Sequence, residues 1–218
     1  KMLISLVVGM LTARYLGPSN YGVINYVSSY LTFFTTIVGL GLNGVIIYEF
    51  GNHRDEEGKI LGTAILMRFI VGLISSFAMI GVVMAFDGSD KIIVIVAALQ
   101  AVQLPFLAFD TINYWYQSKL ISKYAVIVQT IAYICTSAYK IFLLATAKSV
   151  EWFAFATSLD IILLAVMYYF AFIRTDHPKL GISVNAGKRM LEKSGAFILA
   201  NLMVFVYGQM DRIMLKQM

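Results

Sequence analysis

The chain has 218 residues, 60% of them hydrophobic and 13% charged, with a mean hydropathy of +0.79. A water-soluble domain needs more polar surface than that, so the solvent for most of the chain is a lipid bilayer. The net charge of +5 is explained by membrane topology and anionic lipid, and with no soluble basic face it excludes nucleic acid as a partner.

A helix needs roughly 20 residues to cross about 30 Å of hydrocarbon, and the apolar residues fall into seven blocks, the first over residues 2–16. Further spans follow it and it lacks a small-residue cleavage site, so it reads as a retained helix rather than a signal peptide. It closes in LTARYLGPSNYG, residues 11–22, where Gly17 and Pro18 mark a turn just after Arg14. Continued as a helix, this block sets Arg14 beside Leu3, Val7 and Met10 and opposite Ser5, Gly9 and Thr12, the geometry of a cation snorkelling to the headgroups. The second block, 21–47, carries Asn25, Ser28, Ser29, Thr32, Thr35, Thr36, Gly39 and Asn43 at intervals of three and four. That stripe is either a face for tight helix packing or the wall of a water-filled cavity.

In the third block, 60–86, Arg68 shares a face with Ala64, Gly72 and Ser75, the least lipid-like side of its helix. The fourth, 91–110, contains Gln100, Gln103 and Pro105, and the proline is expected to kink it by removing a backbone donor. On the fifth, 124–147, Lys140 aligns with Gln129, Tyr133 and Thr136, and the single cysteine, Cys135, reads as an apolar filler. Asp160 lies near Thr157 on the sixth, 151–173. Lys140 could snorkel and Asp160 could serve a structural cation, but ionisable groups inside a span are functional candidates by default. The seventh, 195–218, places Asn201, Gly208, Asp211 and Arg212 on neighbouring turns and has no polar end. With Lys at position 1, the chain is expected to be part of a longer protein.

Reaction chemistry is poorly represented. His53 and His177 lie in loops without a Cys or His at ligand spacing, which argues against a metal. Neither a GxxxxGK[ST] loop nor a GxSxG elbow is present, and Asp87 and Asp90 around Gly88 and Ser89 have the composition of a turn. Polar stripes in a multi-span chain with no reaction centre favour transport over catalysis.

Three stretches resemble bacterial polysaccharide-export flippases. ARYLGPSNYGVINYVSSY, 13–30, is similar to a first-loop signature of the form A-R-x-L-G-P-x-x-Y-G; INYWYQSKLISKYAVIVQT, 112–130, to the loop between helices four and five; and YGQMDRIMLKQM, 207–218, with Asp211 and Leu215, to the start of the second lobe. Ser118 stands where those proteins more commonly have Gly after the aromatic-Gln pair. The resemblance implies an all-α, two-lobe fold of the multidrug/oligosaccharidyl-lipid/polysaccharide export kind. Residues 1–173 would form a six-helix N-terminal lobe, 174–194 a cytoplasmic inter-lobe loop and 195–218 part of helix seven. It also implies transfer of an undecaprenyl-diphosphate-linked oligosaccharide across the bacterial plasma membrane for O-antigen, capsule or exopolysaccharide assembly. The substrate would meet Arg68, Lys140, Arg14, Asn25, Thr32 and Asp160; in related lipid II flippases an Arg placed like Arg14 helps line the cavity. Membrane lipids and polysaccharide assembly proteins are the expected partners, no cofactor is required, and either a proton or a sodium gradient could drive the cycle. A cation-coupled multidrug exporter is the second reading and a membrane-embedded polymerase or glycosyltransferase the third.

Loops after the second, fourth and sixth blocks hold nine cations: Arg54, Lys59, Lys119, Lys123, Arg174, Lys179, Lys188, Arg189 and Lys193. The other loops hold three, Arg14, Lys91 and Lys148, so the nine-cation side and the N-terminus are expected to be cytoplasmic. With Cys135→Ser as background, single cysteines at Ser118 and Ser183 should be shielded from an impermeant thiol reagent in intact cells, and one at Ser89 labelled. The reverse pattern would invert the orientation.

Overall fold

The computed structural model describes residues 2–146, 148–175 and 178–195, together with 197, 203 and 204. Regular structure among them is helical throughout, and five stretches are long and apolar enough to cross a membrane. The chain is an all-α, multi-pass membrane protein. The seventh block lies almost wholly outside the described residues, and with it Asn201, Gly208, Asp211 and Arg212.

The first and second blocks run together as α1, Met2–Gly39, interrupted at Gly17, where φ is 72° and ψ 170°. With α2, Leu42–Asn52, the apolar stretch from Leu6 is 47 residues. Straight, it would measure about 70 Å, twice the hydrocarbon thickness. Gly17 resolves the excess: side chains on both sides of it, Val8 and Thr12 before and Tyr21 and Asn25 after, line one cavity, so the chain doubles back there. Only glycine adopts such a φ without strain, and Pro18 both favours an extended ψ before it and starts the next helix without a wasted donor. A further break, not expected from the sequence, separates α1 from α2 at Leu40 and Gly41, with φ of 50° and 61°.

The third, fifth and sixth blocks are followed closely, whereas the fourth runs eight residues past its expected end at 110, to Ser118. The helices are α3, Glu57–Asp87; α4, Lys91–Ala101; the short α5, Gln103–Phe106; α6, Thr111–Ser118; α7, Lys123–Ala145; and α8, Val150–Arg174. The fourth block is broken at Val102, as Pro105 requires, because a proline cannot donate to the carbonyl four residues earlier. That carbonyl, on Ala101, accepts instead from Ser76 Oγ of α3 at 2.9 Å. The carbonyl of Leu99 likewise accepts from Ser158 Oγ of α8 at 2.6 Å. Gly72 makes the approach of α3 possible, since a Cβ there would sit 2.7 Å from the Leu104 carbonyl oxygen. The loop after α6 places Leu120 at φ 59°, while Ser118 closes the helix by donating to the Trp115 carbonyl. The left-handed residue of this loop is therefore two positions beyond the serine.

Two apolar cores occupy opposite ends of the bundle. One gathers Val27, Leu31, Met79, Val96 and Phe153; the other gathers Ile46, Phe50, Ile60, Trp115, Tyr168 and Phe172. Ile70, Ile74 and Phe77 on the outer side of α3 are exposed, whereas Arg68, Gly72, Ser75 and Met79 on its inner side are buried. A helix with such an apolar exposed side is suited to lipid contact.

At the second end the chain returns from α8 as an extended strap, 178–183, and a helix over 184–195. The strap lies directly on the first turns of α3. Gly181 N–H donates to the Gly58 carbonyl at 3.1 Å and Ser183 N–H to Thr63 Oγ1 at 2.9 Å. A side chain at Gly58 would collide with the Lys179 carbonyl, and one at Gly62 with that of Gly181. The following helix is held by charge: Glu49, with no exposed side-chain surface, pairs with Lys193 at 2.6 Å and Arg189 at 3.4 Å. Glu56 pairs with Arg189 at 2.9 Å, and Glu57 with Lys119 at 2.6 Å.

Removing one partner of a buried pair leaves an uncompensated charge, costing about 3 kcal/mol or more. The Arg189→Ala/Lys193→Ala double variant should therefore melt lower than Glu49→Gln when followed by thermal unfolding in detergent. Adding Glu49→Gln to the double variant should recover much of the loss. An additive loss would show that the carboxylate is not stranded.

Candidate functional site

Between the two arms of α1 and the facing sides of α7 and α8 lies a cavity of about 330 Å³. The reversal at Gly17 creates it: without the hairpin, Thr12 and Asn25 could not face the same space. Four helices or arms supply its polar side chains, Thr12 and Asn25 from the two arms of α1, Thr136 and Lys140 from α7 and Asp160 from α8, with Tyr21, Tyr133 and Thr157 beside them. Most of the hydroxyl and amide donors are already committed. Thr12 Oγ1 donates to the Val8 carbonyl at 2.7 Å, and Asn25 Nδ2 to that of Tyr21 at 3.0 Å. Thr136 Oγ1 lies 3.0 Å from Asp160 Oδ1, to which it can donate.

Lys140 differs from these. Its ammonium has no hydrogen bond or ion pair among the described residues, although Asp160 lines the same cavity. A cation within a membrane span carries a large desolvation cost unless water, a lipid headgroup or an anion meets it. The arrangement therefore offers an open positive charge, a carboxylate within hydrogen-bond distance of a threonine, and a polar wall. The described residues contain no group of three or more His, Cys, Asp or Glu side chains able to hold a metal.

The other expected site residues are elsewhere. Arg68 is 3% exposed and enclosed within the lobe. Its guanidinium donates to Asn43 Oδ1 at 2.6 Å and to the Gly39 carbonyl at 3.1 Å, with Thr111 Oγ1 at 3.4 Å and the Tyr114 ring at 5.4 Å. It thus ties α3 across the break between α1 and α2, where the Gly39 carbonyl has lost its helical partner. Its face on α3 was legible in the sequence; its neighbours depended on the unexpected break at Leu40 and Gly41. Arg14 is exposed and continues the exposed face of Val7, Met10 and Leu11. Thr32 is exposed as well, its hydroxyl turned back to the Ser28 carbonyl at 2.8 Å. Of the six expected residues, the cavity unites Asn25, Lys140 and Asp160. Tyr21, Thr12 and Ser137, which also line it, were not singled out, because nothing local in the sequence says that the two arms of α1 face each other.

The whole chain, residues 1–218, matches the model of a family described as polysaccharide biosynthesis protein. The chain belongs to that family. No curated protein and no solved structure matches it closely enough to add to this. Membership in the polysaccharide biosynthesis protein family connects a multi-pass membrane chain with the making or export of polysaccharide, which suits a polar cavity inside an apolar bundle.

Arg68 bridges helix ends, so Arg68→Met should lower the thermal stability of the detergent-solubilised protein, leaving the Gly39 carbonyl and Asn43 without their donor. Arg68→Lys should recover only part of it, because an ammonium lacks the planar fork that reaches both acceptors. Unchanged melting in Arg68→Met would remove the bridge from the account.

Proposed function

We propose that this chain is the N-terminal lobe of a flippase that carries undecaprenyl-diphosphate-linked oligosaccharide units across the bacterial plasma membrane for surface polysaccharide assembly. The observation that carries the reading is the unpartnered Lys140 ammonium in a polar cavity within a member of a polysaccharide biosynthesis family. A diphosphate and its sugars need a hydrated path with positive charge, while the isoprenoid tail can stay in the bilayer. Lys140 would attract the diphosphate as a point charge, and Asn25, Tyr21, Tyr133 and Thr157 would exchange hydrogen bonds with water or sugar. Rocking of this lobe against a second one would open the path to each side in turn. On this reading residues 1–173 form the lobe, 174–194 join it to the next, the N-terminus is cytoplasmic, and no chemical step is catalysed. An ion gradient would supply the drive.

Asp160 favours a second reading, a cation-coupled exporter of organic cations, because a carboxylate in the cavity can bind positive cargo or a coupling ion. The two readings part at Lys140. In the full-length protein, at matched expression, Lys140→Gln should reduce surface polysaccharide at least tenfold, the scale of one lost charge-assisted contact of about 1.5 kcal/mol. Lys140→Arg should retain a substantial part. Arg14→Gln, on an exposed face away from the cavity lining, should keep nearly full activity. Normal polysaccharide in Lys140→Gln would overturn the diphosphate role, and Arg14→Gln as damaging as Lys140→Gln would move the path to the exposed face of α1.

A further inference from the structure

The strap over 178–183 forms a second concavity, far from Lys140. Lys179, Gly181 and Ser183 meet α3 through their backbone, while the alternating Leu180, Ile182 and Val184 are exposed. Between the strap and α3 runs a groove of about 430 Å³ whose lining includes Ile65, Leu66 and Phe69 of α3, Phe109, and Leu180 and Ile182 of the strap. From Gly62 to Phe69 the groove covers about 10 Å along the helix axis, the depth of the upper part of one leaflet.

Cations stand at its shallow end only. Lys59 precedes Gly62 by one turn, and its side-chain stem packs against Gly181. Lys179 is exposed on the strap itself. The acidic residue that faces Lys59 is the half-buried Glu56, at 3.9 Å, a carboxylate already paired with Arg189 at 2.9 Å and too loosely in contact with the exposed lysine to neutralise it. The groove's walls are apolar, its mouth is positive, and it opens on the apolar outer side of α3.

We propose that this groove binds an anionic phospholipid, one acyl chain lying between Phe69, Phe109 and Ile182 and the phosphate meeting Lys59 and Lys179. The inference depends on the membrane placement of the chain and not on the flippase reading. It gives the two close-packed glycines a purpose: Gly58 and Gly62 let the strap sit low enough on α3 to become one wall of a lipid site. The lipid in turn would hold the strap, and through it the helix over 184–195, at the membrane boundary.

The test uses the full-length protein in nanodiscs, with Val184→Cys carrying a bimane probe and Cys135 and any other cysteine replaced. Val184 borders the groove without lining it, so the probe does not occupy the site. Brominated phosphatidylglycerol at low mole fraction in phosphatidylcholine should quench the probe at several-fold lower content than brominated phosphatidylcholine. Each lysine engaged should contribute about fivefold. Lys59→Gln/Lys179→Gln should abolish the preference, whereas Lys123→Gln, at the start of α7, should leave it intact. Leu66→Trp, which fills the groove, should weaken quenching by both lipids. Equal quenching by the two lipids in the unsubstituted lysine background, or an equal loss of preference in Lys123→Gln, would reduce the effect to bulk bilayer contact and overturn the site. Absence of quenching by either lipid would show the strap covered by protein and overturn it as well.

Discussion

The architecture depends on one constraint: inside a bilayer every backbone donor and acceptor has to be satisfied by the protein itself. Two of the helix breaks among the described residues are accompanied by a substitute partner. Pro105 leaves the Ala101 carbonyl without its helical donor, and Ser76 supplies a hydroxyl from the neighbouring helix. The interruption after Gly39 leaves another carbonyl open, and the guanidinium of Arg68 reaches it. Helix breaks at membrane depth are thereby converted into inter-helix bonds. Small or polar residues such as Gly72, Ser76 and Ser158 are placed where neighbouring backbones must come close.

Those breaks also make the cavity. A straight first span would have run on beyond the bilayer; the reversal at Gly17 instead sets two polar arms around the faces of α7 and α8 that carry Lys140 and Asp160. Thr136 lies within hydrogen-bond distance of the carboxylate, while the ammonium makes no hydrogen bond or ion pair among the described residues. A cation open to such a cavity concentrates the electrostatic attraction for an anionic group in one place. Arg68 contributes by holding the helix junction rather than by facing the same space.

At the opposite end the order of the polypeptide beyond α8 is imposed by two kinds of contact. Backbone apposition at Gly58 and Gly62 fixes the strap, and buried Glu49 draws Arg189 and Lys193 onto the bundle. Neither is strong alone in water, but a carboxylate with no exposed surface is costly unless its cations stay in place. The strap and the helix over 184–195 are consequently part of the lobe's surface, and three of the cations counted as topological signals, Lys119, Arg189 and Lys193, are also structural partners of Glu49, Glu56 and Glu57.

The sequence alone determined the solvent, the approximate limits of α3, α7 and α8, the turn at Gly17 and Pro18, the kink at Pro105, and the inward side of Arg68 on its helix. All of these follow from local properties: apolar run length, fixed proline geometry and the angular period of a helix. It also contained the spacing of Gly58 and Gly62, one turn apart, whose meaning could not be read because the backbone that meets them lies some 120 positions away. Which polar residues share a cavity was likewise decided only by tertiary structure. Lys140, Asp160 and Asn25 sit on helices whose relative rotation is set by packing, and Arg68, equally polar and equally inward, is drawn to a carbonyl exposed by a helix break. Periodicity gives the direction of a side chain relative to its own helix; what stands opposite it depends on how all the helices satisfy their backbones together.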